Sequence, residues 1–285
     1  MRKMAVDVHI HMVLDGADWR GAIARHQDGP DEALIRQRLA LYREGGFTYL
    51  RDGGDRWGVG AMARALAPAY GITYRTPLAP LYHSGHYGGF IGVKFENLQD
   101  YQRILREKRK LGADFIKIMI SGLMDFDRFG VLTEPGLDPA EIRDLIGAAH
   151  DAGFSVMAHA NGAETVLAAT AAGVDSVEHG AYLSGETLSA MAENGTVWVP
   201  TLSAIGNLRG TGRFREEAVE AILASARENV RRFDAMGGLL APGSDAGAWA
   251  VPHGGMTEYR LLEQALGSCT AAALDRGIAA IRRKF

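Results

Sequence analysis

Short apolar runs alternate along this chain with longer amphipathic stretches. Runs rich in β-branched and aromatic residues occupy 6–12, 47–52, 72–79, 115–121, 154–160, 175–180, 196–201 and 239–245, and helical periodicity fills the intervals. The pattern predicts eight strands with a helix after each, the last helix starting near Met256. Glycine closes many of these helices, as in LYREGG, LREKRKLG, GAAHDAG, AATAAG and MAENG, where a left-handed C-cap is wanted. Such alternation requires parallel strands joined by crossover helices. Eight units in 285 residues suit a closed (β/α)8 TIM barrel better than an open doubly wound sheet. The open sheet also lacks its signature, a G-x-G-x-x-G after the first strand. No linker, repeat or low-complexity tract interrupts the pattern, so residues 1–285 read as a single domain.

Composition narrows the choice of partner. The chain is 47% hydrophobic and 23% charged, ordinary for globular material, with a formal net charge of −3. The basic run from Arg106 to Lys110 reads as one solvated helix face, leaving no footprint for nucleic acid or an anionic membrane. A small-molecule substrate is expected instead. Cys269 is the sole cysteine, so no internal disulfide forms; it reads as a small core residue, and a reducing compartment follows. The amino terminus shows no signal-peptide pattern and no apolar run is long enough to cross a bilayer, from which a cytoplasmic protein is expected.

In a barrel of this type the active site gathers at the carboxyl ends of the strands, and the polar residues predicted there are few. His9 and His11 end the first strand, Lys117 lies in the fourth, His159 ends the fifth, His179 the sixth and Asp245 the eighth. Residues two apart on a strand point the same way, so His9 and His11 face the axis if Asp7 and the even-numbered apolar residues face the helices. Two imidazoles converging from one strand make a metal chelate. Lys117 is flanked by apolar residues in ADFIKIMISG, where an unpaired ammonium is strongly disfavoured. Either it pairs with an inward acid such as Asp245, or it becomes a reactive neutral amine able to capture carbon dioxide as a carbamate.

The segments VDVHIH, GADFIKIMISG, AHDAGFSVMAHANG, GVDSVEHGAYL, VPTL and GSDAG together resemble the amidohydrolase superfamily. The likeness is to its binuclear branch with a carboxylated lysine, and within that to prolidase-like and imidazolonepropionase-like members. TYLRDGG and SGHYGG also resemble stretches of that group. The resemblance implies one divalent ion held by His9, His11 and Asp245, a second held by His159 and His179, and carboxylated Lys117 bridging both; the ligand types suit zinc, with manganese, cobalt or iron as alternatives. It further implies a metal-bridging hydroxide as nucleophile, with Asp245 taking up and delivering its proton. Deaminase-like relatives with one metal carry H-x-x-E after the fifth strand; here the sequence is HANG.

Further residues carry weaker expectations. His86, Tyr87 and His253 are candidates for touching substrate, His83 less so. Glu178, next to His179, is turned away from the site by strand alternation. Arg51 and Asp52 form a structural pair, and His26 and His150 lie on helix surfaces. Most relatives add a small β-sandwich built from residues before the first strand and after the last helix; the resemblance here implies either a stand-alone barrel or a fragment, with the face the sandwich would cover polar, paired in a homo-oligomer or unstable. The function implied is hydrolysis of an amide bond in a dipeptide, an N-acyl amino acid or a cyclic amide. A lactone or ester hydrolase on the same site, and a catalytically silent metal-binding barrel, are the alternatives.

Overall fold

The computed structural model describes residues 5–285. Its strands are β1 (Ala5–Ile10), β2 (Phe47–Asp52), β3 (Thr73–Arg75), β4 (Leu81–His83) and β5 (Val93–Phe95), followed by β6 (Ile116–Met119), β7 (Val156–Ala160), β8 (Ser176–His179), β9 (Val197–Val199) and β10 (Leu239–Leu240). Helices α1 (Trp19–Ala24), α2 (Glu32–Glu44), α3 (Val59–Leu66), α4 (Leu98–Leu111), α5 (Pro139–Asp151) and α6 (Ala163–Ala171) alternate with them. The remainder are α7 (Gly185–Asn194), α8 (Leu202–Gly206), α9 (Glu216–Ala235), α10 (Thr257–Leu266) and α11 (Thr270–Lys284).

All strand pairs are parallel, in two runs ordered β1-β2-β3 and β10-β9-β8-β7-β6-β4-β5. Backbone hydrogen bonds join the runs into a TIM barrel. On one side the chain after β10 continues along β1, with Val8 N–H donating to Pro242 O (3.0 Å), Asp245 N–H to His9 O (2.8 Å) and His11 N–H to Ala246 O (2.7 Å). On the other side Thr76 and Asp114 tie β3 to the start of β6: Asp114 N–H donates to Thr76 O (3.0 Å) and Thr76 N–H to the Asp114 carboxylate (2.9 Å). Among the described residues every strand belongs to these two runs, and none is left to build a β-sandwich.

The third predicted strand is broken. Its first part, β3, pairs with β2, whereas β4 pairs with β6 through Leu81↔Ile118 and Tyr82↔Met119. Pro77 and Pro80 lie in the gap, and proline has no N–H to offer a ladder. The carbonyls of Pro77 and Ala79 are satisfied by the ammonium of Lys108 on α4, at 2.6 and 2.5 Å. Lys108 is therefore buried, which corrects the expectation that the whole basic run is solvated.

Inward and outward faces follow from alternation. Ile116, Ala158, Val177 and Trp198 pack against the helices, whereas Phe115, Met157, Val197 and Val199 fill the barrel below the site. In β1 the alternation changes phase. Val6 and Val8 join that lower filling, but Ile10 and Met12 pack with Ile35 and Leu39 of α2, and the register shifts between Asp7 and Ile10. This irregularity points His9 into the barrel directly after inward-facing Val8; the condition expected for their inward orientation, that all even-numbered residues face the helices, does not hold.

Local signals account for the helix ends. The Asn97 side chain accepts from Asp100 N–H (3.0 Å) at the start of α4, and Gly112 closes that helix at φ 73°. Ser184 and Gly195 do the same for α7. The segment predicted as one helix from Met256 is two, α10 and α11, and Cys269 between them is exposed, not in the core, because the turn lies on the surface. Helix α11 packs directly on β10, where a Cβ on Gly277 would stand 1.8 Å from Leu240 O. Gly277→Ala is accordingly expected to cost about 2–3 kcal/mol or more by overpacking, read as a lowered midpoint of urea unfolding. An unchanged midpoint would show that α11 is not seated this closely.

Candidate active site

The carboxyl ends of β1, β6, β7 and β8 and the segment after β10 bring His9, His11, Lys117, His159, His179 and Asp245 together. His9 Nε2 and His11 Nε2 are 3.4 Å apart, His11 Nε2 is 3.2 Å from Asp245 Oδ1, and His9 Nε2 is 3.5 Å from that same oxygen. The rings of His159 and His179 meet edge to face with centroids 4.5 Å apart, and His179 lies 5.0 Å from His9. Lys117 Nζ, Asp245 Oδ1 and His11 Nδ1 are buried with no hydrogen-bond partner in the structure.

This arrangement fits cations. Ligand atoms about 2.1 Å from a tetrahedral ion stand about 3.4 Å from one another, the separation seen among His9, His11 and Asp245. Buried polar atoms without partners are costly, and Lys117 Nζ and Asp245 Oδ1 would gain partners from an ion or an added carboxylate. Burial keeps the imidazoles neutral, and hence able to donate lone pairs. It holds His9 and His179 well below the usual value and His159 at about 3, and the Lys117 charge adds to the effect at all three. Burial also brings Lys117 down to about 8, so a substantial fraction is free amine near neutral pH.

Hydrogen bonds select the nitrogen each ring presents. His9 Nδ1 donates to Glu178 Oε2 (2.7 Å), which leaves the Nε2 lone pair toward His11 and Asp245. His159 Nε2 lies 3.2 Å from Gly122 O, and only a protonated nitrogen bonds a carbonyl, so Nδ1 carries the lone pair. His179 Nδ1 meets Thr201 Oγ1 at 2.8 Å, leaving Nε2 for the site.

Glu178 thus overturns the expectation that it faces away. Alternation does hold within β8, where Ser176 and Glu178 both point inward; it is His179 that departs, since its φ of 70° rotates it back toward the site. The Glu178 carboxylate also accepts from Arg51 (2.7 Å) and from Ser176 Oγ (2.6 Å), with Arg51 and Glu178 fully buried. Arg51 further donates to Val8 O (2.7 Å) and Ser176 Oγ (2.9 Å), and its guanidinium carbon sits 4.3 Å above the Phe285 ring. Arg51 and Asp52 are therefore not a pair: adjacent on β2, they point to opposite faces, and Asp52 accepts from Met12 N–H (3.1 Å) and Thr76 Oγ1 (3.3 Å).

The substrate-facing candidates separate. Tyr87 lines the cavity above the metal-ligand candidates, 5.0 Å from the His159 ring. His86 stacks on His83 and is not part of that lining. His253 lies outside it too: the ring is buried with Nδ1 on Tyr42 Oη (3.0 Å) and Nε2 on Leu14 O (2.8 Å), so its polar atoms are committed to structure. His26 is buried, accepting from Asp31 N–H (3.0 Å), whereas His150 is exposed as expected and meets Asp175 at 3.0 Å. Asn161 went unnoticed in the sequence. It ties three loops together, donating to Gly122 O (3.1 Å) and to Ser121 Oγ (2.8 Å) and accepting from Ala181 N–H (3.0 Å).

Comparison with known proteins accords with this geometry: the model of the amidohydrolase family matches residues 5–280. The chain belongs to the amidohydrolase family. Ochratoxinase of Aspergillus niger is 27% identical to this chain over 186 residues, covering 60% of the chain and 38% of that enzyme. An uncharacterized protein of Mycobacterium tuberculosis is 30% identical over 139 residues, covering 47% of the chain and 37% of that protein. The matched part of the chain thus spans less than two fifths of these relatives' lengths. Among solved structures, a Xaa-Pro dipeptidase with methionine bound in its active site matches with a TM-score of 0.77 at 22% identity, over 98% of this chain and 75% of that one. The A. niger ochratoxinase structure matches with a TM-score of 0.78 at 20% identity, over 96% and 70%. At such identities the structural likeness speaks to the fold.

Glu178→Gln leaves the buried Arg51 without its counter-charge, an imbalance worth about 3–5 kcal/mol. The urea midpoint is expected to fall accordingly, whereas Glu32→Gln, which breaks only the exposed pair with Arg36, serves as the control expected to leave it nearly unmoved.

Proposed function

We propose that this chain hydrolyses an amide bond and depends on divalent metal ions. The observation that carries the reading is the convergence of four imidazoles, one carboxylate and one unpartnered buried lysine at the carboxyl ends of the barrel strands. His9, His11 and Asp245 would hold one ion, and His159 and His179 a second. When bound, such ions supply Lewis acidity, lowering the pKa of water and polarising a carbonyl; imidazole and carboxylate donors suit zinc.

The protein's own groups have distinct tasks. The Lys117 amine, a fraction of which burial leaves uncharged near neutral pH, would add to carbon dioxide, releasing a proton and becoming an anionic carbamate that answers the positive charge around it. Asp245 lines the cavity floor, where its carboxylate can accept the proton of the attacking water and return it to the leaving nitrogen. Glu178 and Thr201 hold the His9 and His179 rings, and Asn161 fixes the loops that frame them. The same constellation would attack a lactone or ester carbonyl. A silent barrel is disfavoured because its orphaned Lys117 and Asp245 would bring the cost of burial with no compensating role.

Metal analysis coupled to a hydrolysis screen tests the reading: two divalent ions per chain with amide turnover are expected, lactone-only turnover would favour the second reading, and neither metal nor turnover would overturn both. Lys117→Ala and Asp245→Ala are each expected to lower kcat by about three orders of magnitude or more while leaving the thermal midpoint near that of the parent. Near-parental turnover in either variant would remove the assigned role.

A further inference from the structure

The walls of the cavity above these polar groups are made of rings. Trp19, at the start of α1, meets Phe90 edge to face with centroids 5.9 Å apart, and Phe90 lies 5.7 Å from Tyr87 in the loop after β4. A second run follows the loops after β6, β9 and β10: Phe126 is 5.3 Å from Phe214, which is 6.3 Å from Trp249. Arg215 N–H donates to Asp127 (2.8 Å) and so pins the β9 loop to the β6 loop, holding the second run in place. The cavity measures about 560 Å³, room for a drug-sized molecule. Trp19 nevertheless remains 42% exposed, an apolar surface that a flat ligand would cover.

Two cations stack on these rings: Arg20 lies 4.3 Å from the centroid of Trp19 but is not among the residues lining the cavity, whereas Arg213 is. The Arg213 guanidinium carbon lies 4.3 Å from the centroid of Trp249 and 5.5 Å from that of Phe214. Stacking occupies the face of a guanidinium and leaves its N–H edge free, the edge that pairs with a carboxylate through two parallel hydrogen bonds. Among the described residues no carboxylate pairs with Arg213. The acid on the same wall, Asp125, is already committed to Arg128 at 2.7 Å and to Asp127 N–H at 3.0 Å. The outer cavity therefore offers aromatic faces and one uncompensated positive edge.

We propose that this cavity selects an amide that carries both an aromatic ring and a free carboxylate, the ring packed among Trp19, Phe90, Phe126 and Trp249 and the carboxylate on Arg213. The assignment rests on the hydrolase reading above for the bond that is cut, and on the cavity alone for what is bound. Specificity then lies in the loops after β9 and β10 as well as in the floor.

The test compares N-benzoylglycine and N-acetylphenylalanine, each a ring-bearing acid, with ring-free N-acetylglycine and with N-benzoylglycinamide, which lacks the carboxylate. The metal-loaded protein is expected to favour at least one ring-bearing acid over N-acetylglycine by about 100-fold in kcat/KM, from burial of the ring. Removing the carboxylate should cost about tenfold or more, mostly in KM, and Arg213→Gln should lose the same factor on the acid, making acid and carboxamide equal. Quenching of tryptophan fluorescence, reporting from Trp19 and Trp249, measures binding of the same four compounds independently of turnover. Amide turnover with no preference for ring or carboxylate overturns the cavity assignment and leaves the hydrolase standing. Selective binding without turnover of any of them supports the assignment and counts against the hydrolase.

Discussion

A single buried carboxylate governs the floor of this site. Glu178 sits wholly out of water between Arg51 and His9, with Ser176 completing its shell. A charge in that position persists only because each of its oxygens is bonded, and the arrangement in turn dictates which His9 nitrogen faces the centre. Arg51 extends the constraint downward. It grips the backbone of β1, the hydroxyl of β8 and the ring of Phe285, so α11 and the floor share one anchor.

The upper and lower parts of the molecule divide their work accordingly. Below, the barrel is filled by close-packed aliphatic and aromatic side chains such as Phe115, Met157 and Val199, which fix the strand ends with little freedom. Above, loops of different length bring rings from remote parts of the chain to one cavity. The broken third strand belongs to the same logic. Its gap lets β4 run beside β6 and sends the loop bearing Tyr87 and Phe90 over the mouth, while Lys108 satisfies the carbonyls that the break exposes.

Most of this frame was readable from alternation. Apolar runs and closing glycines locate the barrel strands, and six polar residues at strand ends locate the floor, because parallel strands in a closed barrel leave one end for such groups. The misreadings share a cause: regular geometry was assumed where the backbone is irregular. Glu178 was turned outward by counting from His179, yet His179 is the left-handed residue. In β1 a register shift lets Val8 and His9 both serve the interior. His26 and Lys108 look like solvent-facing polar residues in sequence and His253 like a substrate contact; partners 5, 31 and 239 residues away make the three of them structural ties. The aromatic walls were invisible for the same reason, since Trp19 and Trp249 become neighbours of one cavity only after closure.

His179, Thr201 and Asp245 all adopt positive φ, at 70°, 48° and 60°, although none is glycine. Each such conformation stores on the order of 1 kcal/mol or more, at positions where a ring, a hydroxyl and a carboxylate are needed together. Replacing any of them by glycine would relax the main chain and erase the donor atom in one step. Thermal robustness and the proposed chemistry therefore pull against each other at these three positions, and any search for a hardier variant that selects on folding alone would drift toward a barrel stripped of those donor atoms.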